Sequence, residues 1–264
     1  MEQDRVSGAA EIERKVIEHL LKQDDVFSAS LEILEMYPSM GSIWNAVNNL
    51  FLYGMDARRR AETDSIKKVV KDASGIIEDV MTIATYSRSS TVVEILKNCA
   101  GKNIKVMCSE SRPLMEGRKL AEEIKNLQIT FTTDAALLSL IEEADAILLG
   151  ADAITEGGVV NKVGSSTLAL MAAQKGIPLW IAATLSKVFP HVFIKEESGK
   201  EIWEKPPSNV RVKNFYFDFT PSSLITLFIT EEGISTKKPE FRGKISEEVG
   251  KIEKILEKKY YRVR

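Results

Sequence analysis

Beyond Ser74-Gly75 the chain alternates short apolar runs with amphipathic stretches, and few folds accept that order. Val80-Met81-Thr82-Ile83-Ala84, Ile104-Lys105-Val106-Met107-Cys108, Ile129-Thr130-Phe131-Thr132, Ala146-Ile147-Leu148-Leu149 and Leu179-Trp180-Ile181-Ala182 read as buried strands. Helical periodicity over 91–99, 119–126, 135–142 and 167–174 separates them. A strand followed by a crossover helix returns parallel to its predecessor. The expectation is therefore an α/β fold, with a mostly parallel sheet and helices on both faces. Runs at Phe215-Tyr216-Phe217 and over 224–229 are expected to extend the sheet.

The first part of the chain reads differently. From about Val6 to Ala73 the apolar spacing is helical throughout, with Ile12, Val16, Ile17, Leu20 and Leu21, then Leu31, Ile33, Leu34 and Met36. Pro38 opens a new segment, and the charged run Ala57-Arg58-Arg59-Arg60-Ala61-Glu62 reads as a solvated helix face. The expected organisation is a helical N-terminal domain over 1–76, an α/β ligand-binding domain over 77–236 and a C-terminal tail over 237–264. In the tail Ile245, Val249, Ile252 and Leu256 form one narrow apolar stripe. Packing on its own domain is favoured over a partner contact, because the stripe is shorter than a coiled coil needs.

At 264 residues and 29.5 kDa the chain can bury a full core. A net charge of -2 argues against a general nucleic-acid surface. No apolar run reaches membrane-spanning length, and Met1-Glu2-Gln3-Asp4-Arg5 lacks a signal-peptide core, so a cytoplasmic protein is expected. Two cysteines, Cys99 and Cys108, make no disulfide framework, and with only His19 and His191 no metal set is expected.

Chemistry-bearing residues collect after the strands. Gly150-Ala151-Asp152 follows one strand, and a Gly157-Gly158 turn brings back Asn161-Lys162, placing an acid and a cation at one sheet edge. A helix starting after Gly164, capped by Ser165 or Ser166, would turn its positive dipole end to the same pocket. Thr85-Tyr86-Ser87-Arg88-Ser89-Ser90-Thr91 is a hydroxyl-rich turn that could receive a phosphate through Ser89 and Ser90, or simply cap a helix. Arg112 in Ser109-Glu110-Ser111-Arg112-Pro113 could clamp a phosphate or pair with Glu110 or Glu116. Lys187 could add another cation. Neither G-x-G-x-x-G nor G-x-x-x-x-G-K-[ST] occurs, so no nicotinamide or nucleoside triphosphate cofactor is expected.

These segments resemble a known family. Ser109-Glu110-Ser111-Arg112-Pro113, Gly150-Ala151-Asp152, Asn161-Lys162-Val163-Gly164 and Phe217-Asp218-Phe219-Thr220-Pro221 with Ile229-Thr230-Glu231 are similar to motifs of one family. Its members are the alpha, beta and delta subunits of eukaryotic initiation factor 2B, ribose-1,5-bisphosphate isomerase and methylthioribose-1-phosphate isomerase. Tyr37-Pro38-Ser39-Met40 with Asn45-Ala46 resembles its helical-domain motif, and Arg5-Val6-Ser7-Gly8-Ala9 a degenerate Arg-Gly-Ala segment. The Ser89-Ser90-Thr91-Val92 helix start aligns it with the archaeal initiation-factor-2B-like proteins. The resemblance implies a helical N-terminal domain plus a Rossmann-like, mostly parallel sheet C-terminal domain. It also implies a homodimer or higher homo-oligomer, contact with initiation factor 2, and a small phosphorylated ligand held by Ser89, Ser90, Arg112, Asn161, Lys162, Lys187, Arg5 and Gly8.

The family's isomerases use a cysteine and an aspartate as acid/base pair. Here the aspartate aligns with Asp152, but Ser87 stands at the cysteine position, and a hydroxyl is a far weaker acid than a thiol. Tyr86 replaces the preceding histidine, Tyr37 an arginine, Thr184 a glutamate and Ser7 the phosphate arginine, with Arg5 displaced by two positions. The expected role is that of a regulatory protein of translation initiation, binding a phosphosugar or nucleoside monophosphate without efficient catalysis. The competing readings are an aldose-ketose isomerase working through Asp152 and Ser87, and a scaffold whose tail binds another subunit.

Overall fold

The computed structural model describes residues 9–54 and 64–263. Arg5, Ser7, Gly8 and the Arg58-Arg59-Arg60 run lie outside them. Four helices come first: α1 (Ala9–Leu20), α2 (Val26–Met36), α3 (Gly41–Tyr53) and α4 (Asp64–Ile76). Asp25 caps α2 by accepting from the Ser28 amide at 3.0 Å.

The sheet is built from β1 (Thr82–Ala84), β2 (Lys105–Ser109), β3 (Gln128–Thr132), β4 (Ala146–Leu149), β7 (Leu179–Ala182), β10 (Leu227–Thr230) and β11 (Gly233–Ser235). Their order is β11-β10-β7-β4-β1-β2-β3, parallel except for the antiparallel edge strand β11. Alternate residues of each strand face opposite sides. Ile83, Val106, Ala146, Leu148, Trp180 and Ile229 meet α4, α5 (Ser90–Asn98) and α6 (Glu116–Glu123). Ala84, Met107, Ile147, Leu149, Ile181 and Phe228 meet α7 (Asp134–Leu140) and α8 (Ser165–Lys175). Both faces are covered, which is why the central strands carry uninterrupted apolar runs.

A third apolar cluster joins α1, α2 and α3 to β8 (Val192–Ile194) and α9 (Glu247–Leu256), around Trp44, Phe189 and Phe193. Val249, Ile252 and Leu256 of the tail stripe are fully buried in it, while Ile245 stays exposed. The chain then closes with β12 (Tyr261–Val263), antiparallel to β8. α4, by contrast, leaves the other early helices and packs on α5 and the β10–β11 edge.

The run near Phe217 does not extend the main sheet. It forms β9 (Phe217–Pro221), antiparallel to β6 (Gly158–Lys162), which pairs in turn with β5 (Ala153–Ile154). Its alternation explains the difference. Ala153 and Val160 enter the helical core with Phe217 and Phe219, whereas Ile154 and Val159 enter the sheet core. This small sheet needs two apolar faces because it lies between two cores.

If α9 belongs to the helical core, Ile252→Ala should cost about 2–4 kcal/mol by urea denaturation, as a buried large-to-small change does. A loosely attached tail would register less than about 0.5 kcal/mol.

Candidate functional site

From β1 the sheet grows one way through β2 and β3, and from β4 the other way through β7 and β10, so the chain's connections diverge between β1 and β4. In open α/β sheets such a divergence marks the crevice outside the carboxyl ends of the strands where ligands bind. β1 runs into Thr85-Tyr86-Ser87, β2 into Glu110-Ser111-Arg112, β4 into Gly150-Ala151-Asp152 and β7 into the turn carrying Lys187. The crossing at the crevice is close. A Cβ on Gly150 would fall 2.4 Å from Ser89 Oγ, so a glycine is required where β4 passes the start of α5. Ser89 caps that helix, accepting from the Val92 amide, with Ser90 as its first residue. Arg88 turns away and forms a bidentate pair with Glu123 on α6.

Ser87 and Ser111 both adopt left-handed backbone, at φ 63° and 62°, and are joined by a 2.9 Å bond from the Ser87 amide to Ser111 Oγ. Such non-glycine positions store strain that the surroundings must over-determine. Asp134 does so for the second loop: it accepts from Ser109 Oγ at 2.6 Å and from the amides of Ser111 and Arg112 at 2.8 and 2.7 Å. Arg112 pairs with neither Glu110, which meets Arg118, nor Glu116.

Asp152 is held by its backbone. Its amide donates to Val160 across the β5–β6 hairpin, and its carbonyl accepts from Gly41 at the start of α3, both at 2.9 Å. Lys187 Nζ donates to the Ala151 carbonyl. Two side chains fix the lysine's turn: Asn45 Nδ2 donates to the carbonyls of Ser186 and Val188 at 2.8 and 2.9 Å, and Glu231 accepts from the Leu185 amide at 2.9 Å.

The electrostatics are those of a crowded site. Burial pushes Asp152 above the usual carboxylate range, against the pull of Lys187 and Lys162 and helped by Glu116. Burial lowers Lys187, opposed by Asp152 and by Glu13 on α1. Glu13 itself is raised to about 7, burial outweighing the attraction of Lys187. Lys162 Nζ lies 2.7 Å from Glu116 Oε1 and 5.5 Å from the centre of the Tyr216 ring. Asn161, buried, stands opposite Asp218 in the β6–β9 ladder.

The α8 dipole is not turned on an open pocket. Gly164, at φ 105°, provides the N-cap without a side chain. The Asp218 carboxylate accepts from the Gly164 amide at 2.7 Å and the Ser166 hydroxyl at 2.9 Å, so the protein supplies its own anion. Tyr86 closes the space beside it. The ring is buried, its hydroxyl donates to the Val163 carbonyl at 3.0 Å, and a Cβ on Gly164 would fall 2.8 Å from that oxygen. Tyr37 is likewise core, packed in the helical cluster.

The structure thus brings together Asp152, Lys162 and Lys187, and sets Ser87, Ser89, Ser90 and Arg112 along the same sheet edge. Arg5 and Gly8 lie outside the described residues. Sequence reasoning missed Glu13 and Asp134. Among the described residues no cluster of His, Cys, Asp and Glu is arranged for a metal, and no helix is long and apolar enough to cross a membrane.

A sequence profile of the Initiation factor 2 subunit family matches residues 16–237. The chain belongs to that family. Ribose 1,5-bisphosphate isomerase of Archaeoglobus fulgidus is 29% identical, over 86% of this chain and 85% of that protein. A putative translation initiation factor eIF-2B subunit 2-like protein of Pyrococcus abyssi is 33% identical, over 89% and 93%. The crystal structure of the Pyrococcus horikoshii OT3 translation initiation factor eIF-2B matches with a TM-score of 0.76 at 31% identity, over 89% and 93%. Family membership therefore spans both eIF-2B-like proteins and sugar-phosphate isomerases.

Two outcomes follow from this geometry. Glu13 ionises at about 7 when folded against an ordinary 4.5, so its contribution to stability is full below 4.5 and is lost as pH rises through 7. Urea denaturation should find Glu13→Gln more stable than the wild type at pH 8, by on the order of 2–3 kcal/mol, and nearly equal at pH 4.5. Separately, a Cβ on Gly41 would sit 2.3 Å from the Lys187 carbonyl oxygen. Gly41→Ala should cost about 1–3 kcal/mol by overpacking, readable by thermal melting.

Proposed function

We propose that this chain is an eIF-2B-like regulatory protein of translation initiation that binds a phosphosugar or nucleoside monophosphate in the β1/β4 crevice without efficient catalysis. One observation carries the reading. Both cysteines of the chain are buried in the core that the sheet forms with α4, α5 and α6, with Cys108 pushed up to about 12 by burial and Cys99 also raised. Asp152 therefore has no thiol opposite it, and the Ser87 hydroxyl is too weak an acid to shuttle a proton at neutral pH. Asp152 holds a ligand hydroxyl instead, and the N-terminal helices with the tail helix form the cap over the Rossmann-like part. Homo-oligomerisation in the cytoplasm and contact with initiation factor 2 belong to the same proposal and rest on the likeness to eIF-2B proteins.

Glu13 supports a second reading, an aldose-ketose isomerase. A carboxyl that titrates at about 7 beside Lys187 has the proton affinity that a general acid/base needs at neutral pH. One experiment separates the two. The pure protein is mixed with ribose 1,5-bisphosphate and with methylthioribose 1-phosphate, and ketose formation is followed by NMR, in parallel with thermal shifts for sugar phosphates and nucleoside monophosphates. Ligand-dependent shifts without turnover are expected. Turnover that Asp152→Asn abolishes would replace this function by the isomerase.

A further inference from the structure

The Lys162 ammonium, which the β5–β6 hairpin delivers to the crevice, is already matched by a carboxylate of the protein. Glu116, the first residue of α6, approaches it to 2.7 Å, with the lysine side chain 4% and the glutamate side chain 25% exposed. The second oxygen of that carboxylate, Oε2, is buried without a hydrogen-bond partner. Glu116 is also near enough to Asp152 to disfavour its ionisation, so it belongs to the site itself. Lys187 is similarly engaged, with the Ala151 carbonyl and between the charges of Asp152 and Glu13. Arg112 takes no ion pair among the described residues, and unlike Lys187 its side chain is held by no backbone carbonyl there: Glu110 is with Arg118, Glu116 with Lys162, and Asp134 with the loop backbone.

We infer that Glu116 sets ligand specificity by occupying Lys162 in place of a phosphate, so that the crevice takes ligands with a single phosphate and discriminates against bisphosphates. The inference rests on the phosphate-ligand reading above and narrows it. A monophosphate is served by the Arg112 guanidinium and the amides at the start of α5. A second phosphate would have to displace Glu116 from a nearly buried pair and lie beside the displaced carboxylate, Asp152 and Glu13. Like charges at that range in a site shielded from water oppose its entry.

Isothermal titration with ribose 5-phosphate and ribose 1,5-bisphosphate tests this on the wild type, Glu116→Gln, Glu116→Ser and the double variant Glu116→Gln/Lys162→Met. Glutamine keeps the shape and removes the charge, and serine provides a second route should the first variant misfold. In the wild type the bisphosphate should bind no more than about threefold tighter than the monophosphate. Removing the Glu116 charge should tighten the bisphosphate at least about tenfold with less than about threefold change for the monophosphate, and loss of Lys162 should cancel the gain. A wild type that prefers the bisphosphate by more than tenfold, or a gain equal for both ligands or independent of Lys162, overturns the specificity role of Glu116. Absence of binding by either ligand to any of the proteins overturns the phosphate-ligand reading instead.

Discussion

The bond from the Gly41 amide to the Asp152 carbonyl is the contact on which the arrangement of this molecule turns. It ties the first residue of α3 to the strand-end loop that carries the site's carboxylate. It also brings α3 so close that Lys187's own carbonyl lies where a side chain on residue 41 would begin. Asn45, one turn further along α3, then fixes the Lys187 turn from the same helix. Three backbone or side-chain contacts from one helix thereby register the helical layer against Asp152 and the Lys187 turn. The helical layer cannot shift without moving the chemistry.

That coupling explains the small β5–β6–β9 sheet. A hairpin leaving β4 at the sheet's carboxyl edge would ordinarily be a solvated loop, since loops with one apolar face have nothing to bury the other. Here the hairpin is apolar on both faces, with Ala153 and Val160 turned to the helices and Ile154 and Val159 to the sheet. It acts as the joint between two cores and returns Asn161 and Lys162 to the crevice. Asp218 on β9 completes it by holding the start of α8, so the strand that seals the joint also neutralises a helix dipole within the site.

The parts legible in the sequence are those whose signal is local. Buried parallel strands carry continuous apolar runs, and β1, β2, β4 and β7 were readable for that reason. The stripe at Val249, Ile252 and Leu256 announced a buried face but not which core would take it. β8 and β12 were not readable, because three-residue strands some 70 positions apart in the chain stabilise each other only once the tail is docked. The β9 run carried strand character but not its partner, and was assigned to the wrong sheet. Glu13 reads along α1 as one more polar residue between Ile12 and Val16; only the docking of α1 over Lys187 makes it a member of the site. Glu116 was visible as a possible mate for Arg112, yet it pairs with Lys162, 46 positions away.

These non-local residues share a property that bears on function. Glu13, Glu116, Asp134 and Asp218 are all carboxylates: Glu13, Glu116 and Asp218 face positive groups that the sequence pattern left open for a ligand, Lys187, Lys162 and the α8 terminus, while Asp134 holds the Ser111–Arg112 backbone. A site designed to grip a highly charged anion would leave such groups unpaired, and would accept the stability lost by holding like charges together. Here Lys162 and the α8 terminus are closed by carboxylates of the protein, and Asp152 is destabilised as an anion by burial. The electrostatic cost of bringing in further negative charge is thus built into the resting structure.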